Sequence, residues 1–370
     1  MKNKYSFILF LLFTSFFYAQ VTFVINEFPE NSSKNTSVFI SGDFEGWTGG
    51  QEKYKLIHKN DTYSITLPIQ KEPINFKFTQ GSWETVENIT HNRTYHFISK
   101  KDSVKIKIIN WKKSSNKKST AAKNVSILSE DFYIKQLDRK RKIWIYLPPD
   151  YDNSQKSYPV IYMHDGQNLF DNATSYVGEW EVDETLNKIF NENRNGFIVI
   201  GINNGGVIRM DEYSPWKNKK YGGGEGDAYI DFITKDLKSY VDKRYRTLSD
   251  KENTAIIGSS MGGLISYYAG LKYPEIYGKV GVFSPSFWFS KSSFEYAKKR
   301  SKIINTKMYF LIGDQEGKNE VRDMEKMISL MKNNGFPNNN MFKKIIPNGQ
   351  HNEALWRDNL KDAVLWLFKE

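Results

Sequence analysis

The chain has 370 residues, no cysteine, 39% hydrophobic and 15% aromatic residues, and a formal net charge of +11. This length suits about two domains, and the apolar content excludes disorder over most of the chain. The lack of cysteine excludes disulfides, thiolate metal sites and a cysteine nucleophile. The charge does not indicate a nucleic-acid-binding protein, because seven lysines in two stretches without acidic residues, 1–19 and 112–123, account for most of it.

Residues 1–19 have the pattern of a signal peptide. Two lysines precede the apolar run 6–18, which is too short to span a membrane, and Ala19 is a small residue at the expected cleavage site. We therefore expect the mature protein to begin near Gln20 and to be periplasmic or secreted. An uncleaved membrane anchor is the alternative.

Residues 20–111 contain short β-rich runs and no helical periodicity. The runs are separated by clusters of Gly, Asn, Asp and Pro, a pattern typical of a small antiparallel β-sandwich. Residues 112–123 have no large apolar side chain, which predicts a flexible Lys/Ser-rich linker, with an anion-binding patch as the alternative. The predicted strands are 21–25, 37–41, 62–67, 75–79 and 104–109.

From residue 124 the pattern changes to apolar, strand-like runs that alternate with amphipathic helices. Continuous apolar strands between helices are typical of a mostly parallel sheet that is covered on both faces. Residues 124–370 therefore predict one α/β domain. The predicted strands are 144–147, 160–163, 197–202, 254–257, 280–283 and 308–312, and the predicted helices are 184–193, 228–240, 263–272, 322–333 and 353–368.

A G-x-S-x-G motif lies where a predicted strand meets a predicted helix. Gly258, Ser260 and Gly262 follow the strand at 254–257, and Gly263 begins the helix. Small residues are needed in this sharp turn, which lifts the serine hydroxyl above the sheet, while the helix N-terminus offers N–H groups to an oxyanion. The motif predicts Ser260 as a nucleophile. The alternative is a glycine-rich turn in which Ser260 caps the helix.

A nucleophilic serine on such a scaffold requires an acid and then a histidine further along the chain. Of the five histidines, His351 alone lies downstream of Ser260, so we predict that it is the base. Two carboxylates follow the last predicted strand, and either could reach it. We favour Glu316 over Asp314, because the chain needs a few residues to curl back and Gly317 permits the turn.

The loop after an earlier strand should supply one of the two N–H groups that hold the oxyanion. The strand at 160–163 is followed by His164, and Gly166 then lets the backbone turn in tightly. We therefore predict an oxyanion hole made by the N–H groups of Gln167 and Met261. His164 precedes the nucleophile, so we interpret it as a supporting or core histidine and not as the base.

These residues resemble the esterase-D and feruloyl-esterase branch of the α/β-hydrolases, and in particular carbohydrate esterase family 1. The same branch includes enterobactin-type esterases and mycolyl acyltransferases. The resemblance implies an α/β-hydrolase fold and a serine esterase without a metal or organic cofactor. In this family the acid commonly lies three residues after a glycine, a position held here by Glu316, where Asp is frequent. The matching motifs are YPVIYMHDG at 158–166, GEW at 178–180, GSSMGG at 258–263, GDQE at 313–316, and His351.

The N-terminal part resembles carbohydrate-binding modules of the family-20/48 type. GDFEGW at 42–47 and FKFTQGSW at 76–83 are similar to their signature segments. The resemblance implies that Trp47 and Trp83 stack on sugar rings and that Lys77 contacts hydroxyls. The alternative is that the tryptophans are core residues and that the module serves only for packing.

Three functions remain open at this stage. The first is an exported serine carboxylesterase that hydrolyses acyl or aryl esters, of the acetyl or feruloyl type, carried by carbohydrate. The second is a siderophore lactone esterase or an acyltransferase on the same scaffold, and the third is a non-catalytic glycan-binding protein. The complete set of Ser260, His351 and Glu316 argues against the third. We expect neither a nucleic-acid partner nor stable membrane insertion.

Three tryptophans lie near the ends of predicted strands and could line a pocket or pack in the core: Trp180, Trp288 and Trp356.

Overall fold

A computed structural model describes residues 20–29, 36–60, 62–70, 73–89, 91–98, 101–111, 118–175, 178–317 and 319–369. The predicted signal peptide and residues 112–117 of the predicted linker lie outside them. Within the described ranges, no helix has both the length and the apolar character needed to cross a membrane. The chain divides into two compact units, Met1–Lys112 and Lys113–Glu370.

The first unit consists of two small β-sheets that enclose one apolar core. One sheet has the strand order β3-β4-β1-β7 and the other the order β2-β5-β6. The strands are β1 (Gln20–Glu27), β2 (Phe39–Gly42), β3 (Ile57–Lys59), β4 (Thr62–Pro68), β5 (Ile74–Thr79), β6 (Arg93–Tyr95) and β7 (Asp102–Lys107).

Alternation of apolar and polar residues explains why these strands pack face to face. Val21, Phe23 and Ile25 of β1 and Phe76 and Phe78 of β5 are buried in the same cluster, while the residues between them face outward. The expectation of a purely antiparallel arrangement is wrong at one place, since β1 pairs with β7 in parallel. The sequence pattern could not reveal this, because parallel and antiparallel edge strands share the same alternation.

The second unit contains an eight-stranded sheet with the order β15-β14-β13-β12-β10-β11-β9-β8. Strands β10 to β15 run parallel, whereas β9 pairs antiparallel with both β8 and β11. The strands are β8 (Val125–Ile134), β9 (Arg139–Tyr146), β10 (Val160–His164), β11 (Ile198–Ile202), β12 (Thr254–Ser259), β13 (Lys279–Phe283), β14 (Lys307–Gly313) and β15 (Met341–Ile346).

Helices cover both faces of this sheet, as the sequence predicts. The α-helices are α1 (Val182–Asn193), α2 (Arg209–Glu212), α3 (Gly226–Asp231), α4 (Lys238–Arg244), α5 (Met261–Lys272), α6 (Ser292–Arg300), α7 (Glu320–Asn333) and α8 (Glu353–Leu367). Successive strand residues belong to two different buried clusters: Ile256 and Phe310 lie in one, whereas Ile257 and Leu311 lie in the other. Side chains of adjacent strand residues point to opposite faces, so each face has its own apolar core. The second unit therefore has the α/β-hydrolase fold.

Several elements differ from the prediction for physical reasons. Strand β8 has exposed or half-buried residues at all positions but its last, so it lacks the apolar run of a central strand. The helix predicted at 228–240 is longer and contains a π-helical segment, Phe232–Leu237, between α3 and α4. Helix α5 begins at Met261 and not at Gly263.

The described part of the predicted linker is held by hydrogen bonds within the second unit. Ser119 Oγ donates to Asp171 Oδ2 at 2.8 Å, and Ala122 N donates to Asp183 Oδ2 at 2.7 Å. This end of the segment therefore packs as part of the second unit.

Candidate functional site

Ser260 occupies a strained turn between β12 and α5. Its backbone has φ 58° and ψ −123°, a conformation that non-glycine residues rarely adopt and that is commonly retained at functional sites. The flanking residues must be small, since a Cβ on Gly258 would lie 2.6 Å from the backbone of Gly262. Ser260 Oγ lies 3.3 Å from Ser286 Oγ.

His351 is held by a buried carboxylate. Its Nδ1 lies 2.8 Å from Glu316 Oε2, and the Glu316 side chain has 0% exposure while His351 is 40% exposed. Glu316 Oε1 accepts further hydrogen bonds from Gly313 N at 2.7 Å and from Ser284 Oγ at 2.6 Å. These hydrogen bonds fix the position of the carboxylate, which in turn orients the imidazole.

Trp356 fixes the other side of the same network. Its indole N–H donates to Ser284 Oγ at 2.9 Å, and its ring packs edge-on against His351, with centroids 5.2 Å apart. Sequence reasoning left Trp356 open as a pocket or core residue and did not identify Ser284. Ser284 lies three residues before the next 3₁₀ turn, Phe287–Phe289, and it belongs to no motif that could have singled it out.

Asp314 has a different partner. It is exposed, and its Oδ1 accepts a hydrogen bond from Asn348 N at 2.7 Å, in the turn that precedes His351. Of the two candidate acids, Glu316 thus contacts the histidine, whereas Asp314 accepts a hydrogen bond from the backbone of the neighbouring loop.

Ser260 and His351 are not joined directly in the structure. Both follow strands of the parallel part of the sheet, β12 and β15, so both emerge at the same edge. Among the described residues, however, no hydrogen bond links Ser260 Oγ to the imidazole. Such bonds often tighten only when a substrate is bound, and the nucleophile and base roles stay predictions.

The two predicted oxyanion donors lie at the ends of neighbouring strands. Gln167 is in the 3₁₀ turn Gly166–Asn168, directly after β10. Met261 is the first residue of α5, after β12, and N–H groups in a first helical turn have no acceptor within the helix. A Cβ on Gly166 would lie 2.8 Å from the backbone of Gly201, which explains the need for glycine in this turn.

An ion pair that sequence reasoning missed supports the Gln167 turn. Asp165 has φ 56°, and its carboxylate accepts hydrogen bonds from Arg209 at 2.7 and 2.8 Å and from Asn204 Nδ2 at 2.7 Å. Burial alone would raise the pKa of Asp165, but Arg209 holds it below its ordinary value. Arg209 lies far away in sequence, so no local spacing could have indicated the pair.

His164 lies in the core beneath the Ser260 turn. Its Nδ1 lies 3.0 Å from the hydroxyl of Tyr229, while Nε2 is buried and has no hydrogen-bond partner within the described residues. Burial lowers the pKa of His164 to about 3. The residue is therefore neutral at physiological pH.

The other tryptophans named in the sequence differ in their surroundings. Trp180 is buried and packs against Trp356, with centroids 5.5 Å apart. Trp288 is 44% exposed and lies two residues after Ser286, with its ring edge-on to Tyr221. Trp288 is thus the one of the three that remains available to a substrate.

In the first unit, the structure brings the two predicted sugar-stacking tryptophans together. Trp47 and Trp83 are half-buried, with ring centroids 5.8 Å apart, and Trp83 Nε1 donates to Trp47 O at 2.7 Å. Lys77 Nζ donates to Ile89 O at 3.0 Å. The two rings are therefore adjacent and tilted by 41° to each other, while the lysine has a backbone partner.

Comparison with known proteins gives a family match over most of the second unit. Residues 134–367 match the esterase family model described as "Putative esterase". An uncharacterized protein, YbbA of Bacillus subtilis, is 26% identical over 242 residues, which cover 62% of this chain and 92% of that protein. An endo-1,4-beta-xylanase/feruloyl esterase of Xylanibacter ruminicola is 24% identical over 61% of this chain and 29% of that protein.

A solved structure is similar across both units. The enterobactin esterase of Shigella flexneri, crystallised with enterobactin, aligns over 95% of this chain and 93% of its own, with a TM-score of 0.56 and 14% identity. At this identity the likeness concerns the fold.

The contacts of the two acids predict different effects of neutralising them. Glu316→Gln should lower kcat for an aryl ester by about 10² to 10⁴, with little change in KM, because the imidazole loses its orienting carboxylate. Asp314→Asn should change kcat far less, since Asp314 contacts only backbone and an exposed side chain. Steady-state kinetics of both variants test this, and the reverse ranking would assign the acid role to Asp314.

The buried His164 predicts a pH dependence of stability. Its pKa falls from an ordinary 6.5 to about 3 on folding, so below pH 6.5 the unfolded chain binds a proton that the folded chain does not. The contribution of His164 to the free energy of unfolding should be largest above pH 6.5. It should fall by about 1.4 kcal/mol per pH unit as the pH decreases toward 3.

Urea unfolding of the wild type and His164→Gln at pH 5, 6 and 7 isolates this contribution. In His164→Gln, the free energy of unfolding should depend less steeply on pH than in the wild type, by the part that His164 contributes. Tyr229→Phe is the matched control, because it removes the hydrogen bond but keeps the imidazole, so its slope should equal that of the wild type. Equal slopes for the wild type and His164→Gln would contradict the prediction.

Proposed function

The chain belongs to the esterase family, and from this premise we propose that it is a serine carboxylic-ester hydrolase that uses Ser260, His351 and Glu316. Family membership makes it a hydrolase that acts on esters. The observation that carries the finer proposal is the fully buried Glu316 carboxylate, 2.8 Å from His351 Nδ1, at the sheet edge where Ser260 adopts its strained turn.

The proposed reaction follows from these positions. Ser260 Oγ attacks the ester carbonyl carbon while its proton passes to His351 Nε2. The N–H groups of Gln167 and Met261 stabilise the negative oxygen of the tetrahedral intermediate. His351 then returns the proton to the departing alcohol, and a water molecule, deprotonated by the same imidazole, releases the acid from Ser260. Glu316 stabilises the imidazolium in both steps.

The substrate that we favour is an acyl or aryl ester, of the acetyl or feruloyl type, carried by carbohydrate. Three observations support this choice. The exposed Trp288 follows Ser286, which touches the nucleophile, so a flat aromatic acyl group could pack there. The first unit carries the paired Trp47 and Trp83, and a relative of the second unit is named a feruloyl esterase.

A siderophore lactone is the second candidate substrate. The fold likeness to the enterobactin esterase extends over both units and covers 95% of this chain, whereas the feruloyl-esterase relative matches 61% of it. Catecholate lactones also carry aromatic acyl groups, so the same exposed Trp288 suits them.

Replacing the nucleophile should abolish turnover. Ser260→Ala should lower kcat by about 10⁴ to 10⁶ for any ester that the wild type hydrolyses, because nucleophile and base act as a unit. Purified protein is assayed against feruloyl, acetyl and catecholate esters, and the preferred ester is then used for the variant.

Ser266→Ala is the matched control for this experiment. Ser266 lies on the same helix, is buried, and its hydroxyl has no hydrogen-bond partner in the described part of the chain. Its replacement should leave kcat within a few-fold of the wild type. Near-normal turnover by Ser260→Ala would refute the proposed triad.

For the first unit we propose weak binding of an α-glucan or a related polysaccharide. The adjacent faces of Trp47 and Trp83 support this, since flat aromatic rings suit the apolar faces of pyranoses. A non-catalytic glycan-binding role for the whole chain is disfavoured by the ordered Glu316–His351 pair in the second unit. Export through the signal-peptide pattern of residues 1–19 would bring the protein to such a polymer.

Trp83 variants separate stacking from packing. In the full chain, Trp83→Ala should remove polysaccharide binding, which corresponds to about 1–2 kcal/mol per aromatic platform, and leave turnover of a small soluble ester unchanged. Trp83→Phe loses the hydrogen bond to Trp47 O but keeps a flat ring, so it should retain part of the binding.

Polysaccharide pull-down and thermal melting of the same variants provide the readouts. A core role for Trp83 predicts instead that Trp83→Ala costs about 3–5 kcal/mol and unfolds the first unit. A stable Trp83→Ala variant that binds polysaccharide as well as the wild type would exclude both roles.

A further inference from the structure

Three acidic residues converge at the start of helix α1, outside the groups that the proposed reaction uses. We call Glu179, Asp183 and Glu184 the carboxylate cluster. One carboxylate oxygen from each residue lies within 4.8 Å of the other two. Asp183 has 0% exposure and Glu179 has 7%, so two of the three carboxylates are removed from water.

The segment 118–122 donates a hydrogen bond to only one of the two oxygens of each buried carboxylate. Thr120 Oγ1 donates to Glu179 Oε2 at 2.8 Å, and Ala122 N donates to Asp183 Oδ2 at 2.7 Å. The second oxygens, Glu179 Oε1 and Asp183 Oδ1, are buried and have no hydrogen-bond partner among the described residues. Each buried carboxylate therefore keeps one oxygen for a further ligand.

No basic side chain neutralises this charge within the described residues. Arg357, at the rim, forms its ion pairs with Glu181 at 3.3 Å and with Asp358 at 3.1 Å and not with the carboxylate cluster. Buried charges in proteins are normally paired or bound to a metal ion.

We propose that the carboxylate cluster binds one divalent cation and that Ca²⁺ is the ion that fits it. Hard oxygen ligands select Ca²⁺ or Mg²⁺ over zinc and other softer metals. Ca²⁺–oxygen distances of about 2.3–2.6 Å place opposite ligands about 4.6–5.2 Å apart, which accommodates the observed spacing. Mg²⁺ would require all three oxygens to lie within about 4.2 Å of one another.

The ion would have a structural role. It would lock the segment 118–122 onto the loop between β10 and α1, which also carries the oxyanion turn. Thr174 Oγ1 of this loop donates to Gln167 O at 2.8 Å, and Trp180 N donates to Asn168 O at 2.9 Å. This calcium ion would stabilise the loop and would take no part in the ester chemistry, to which the sequence-based expectation of no metal refers.

Calcium binding is tested on the full chain after treatment with a chelator and dialysis. Three carboxylates, one of them exposed, suit a Kd of about 10⁻⁴ to 10⁻³ M. Adding 10 mM CaCl₂ should raise the melting temperature of the second unit by about 3 to 10 °C, and calorimetric titration should give one site per chain. Asp183→Asn, which keeps an acceptor for Ala122 N, should abolish both effects.

Glu184→Gln provides a second variant at an exposed position, where the fold is least affected, and it should also abolish the calcium-induced shift. Glu181→Gln is the matched control, because it removes one nearby negative charge outside the carboxylate cluster and should retain the full shift. Absence of both a shift and binding heat in the wild type would overturn the proposal. An equal loss in Glu181→Gln and Glu184→Gln would overturn it as well, since it would indicate nonspecific charge screening.

Discussion

The hydrogen-bonded register of the parallel strands is the constraint on which the candidate active site depends. Ser259 of β12 pairs with Phe283 of β13, Phe283 pairs with Leu311 of β14, and Gly313 pairs with Ile346 of β15. Parallel strands end at one edge of a sheet, so the loops after them meet there. Ser260, Ser284, Glu316 and His351 all lie on these loops. A slip of one residue would turn each strand's side chains to the opposite face.

Burial without water makes the hydrogen-bond partners of an ionisable group decisive at three places in the second unit. The Glu316 side chain is buried, accepts hydrogen bonds from Gly313 N–H and Ser284, and lies 2.8 Å from His351 Nδ1. His164 is buried beside the hydroxyl of Tyr229 without a carboxylate hydrogen bond, and it stays neutral. Glu179 and Asp183 of the carboxylate cluster are buried, and each has one oxygen without a hydrogen-bond partner among the described residues. The free-energy cost of removing a charged group from water therefore has three different outcomes: an orienting acid, a neutral core histidine and a candidate cation site.

Local patterns were sufficient where one stretch of chain contains all the required information. The G-x-S-x-G turn was predicted because strand, glycines and helix are contiguous, and the central strands were predicted because both of their faces are apolar. Edge elements were harder to predict: β8 is mostly half-buried or exposed, and β6 has only three residues. Their formation depends on a neighbouring strand and not on their own composition.

By itself, the sequence determined the fold class, the alternation of strands and helices in the second unit, and the short set of residues from which a triad could be formed. The sequence favoured Glu316 over Asp314 but could not show which of the two contacts His351, because this depends on how the chain turns after β14. The ion pair of Asp165 with Arg209, the contact of Ser284 with Trp356, and the meeting of residues 118–122 with Glu179 and Asp183 were decided by the tertiary structure alone. Each joins residues that are at least 44 positions apart, and only the packed sheet and helices bring such groups within hydrogen-bonding distance.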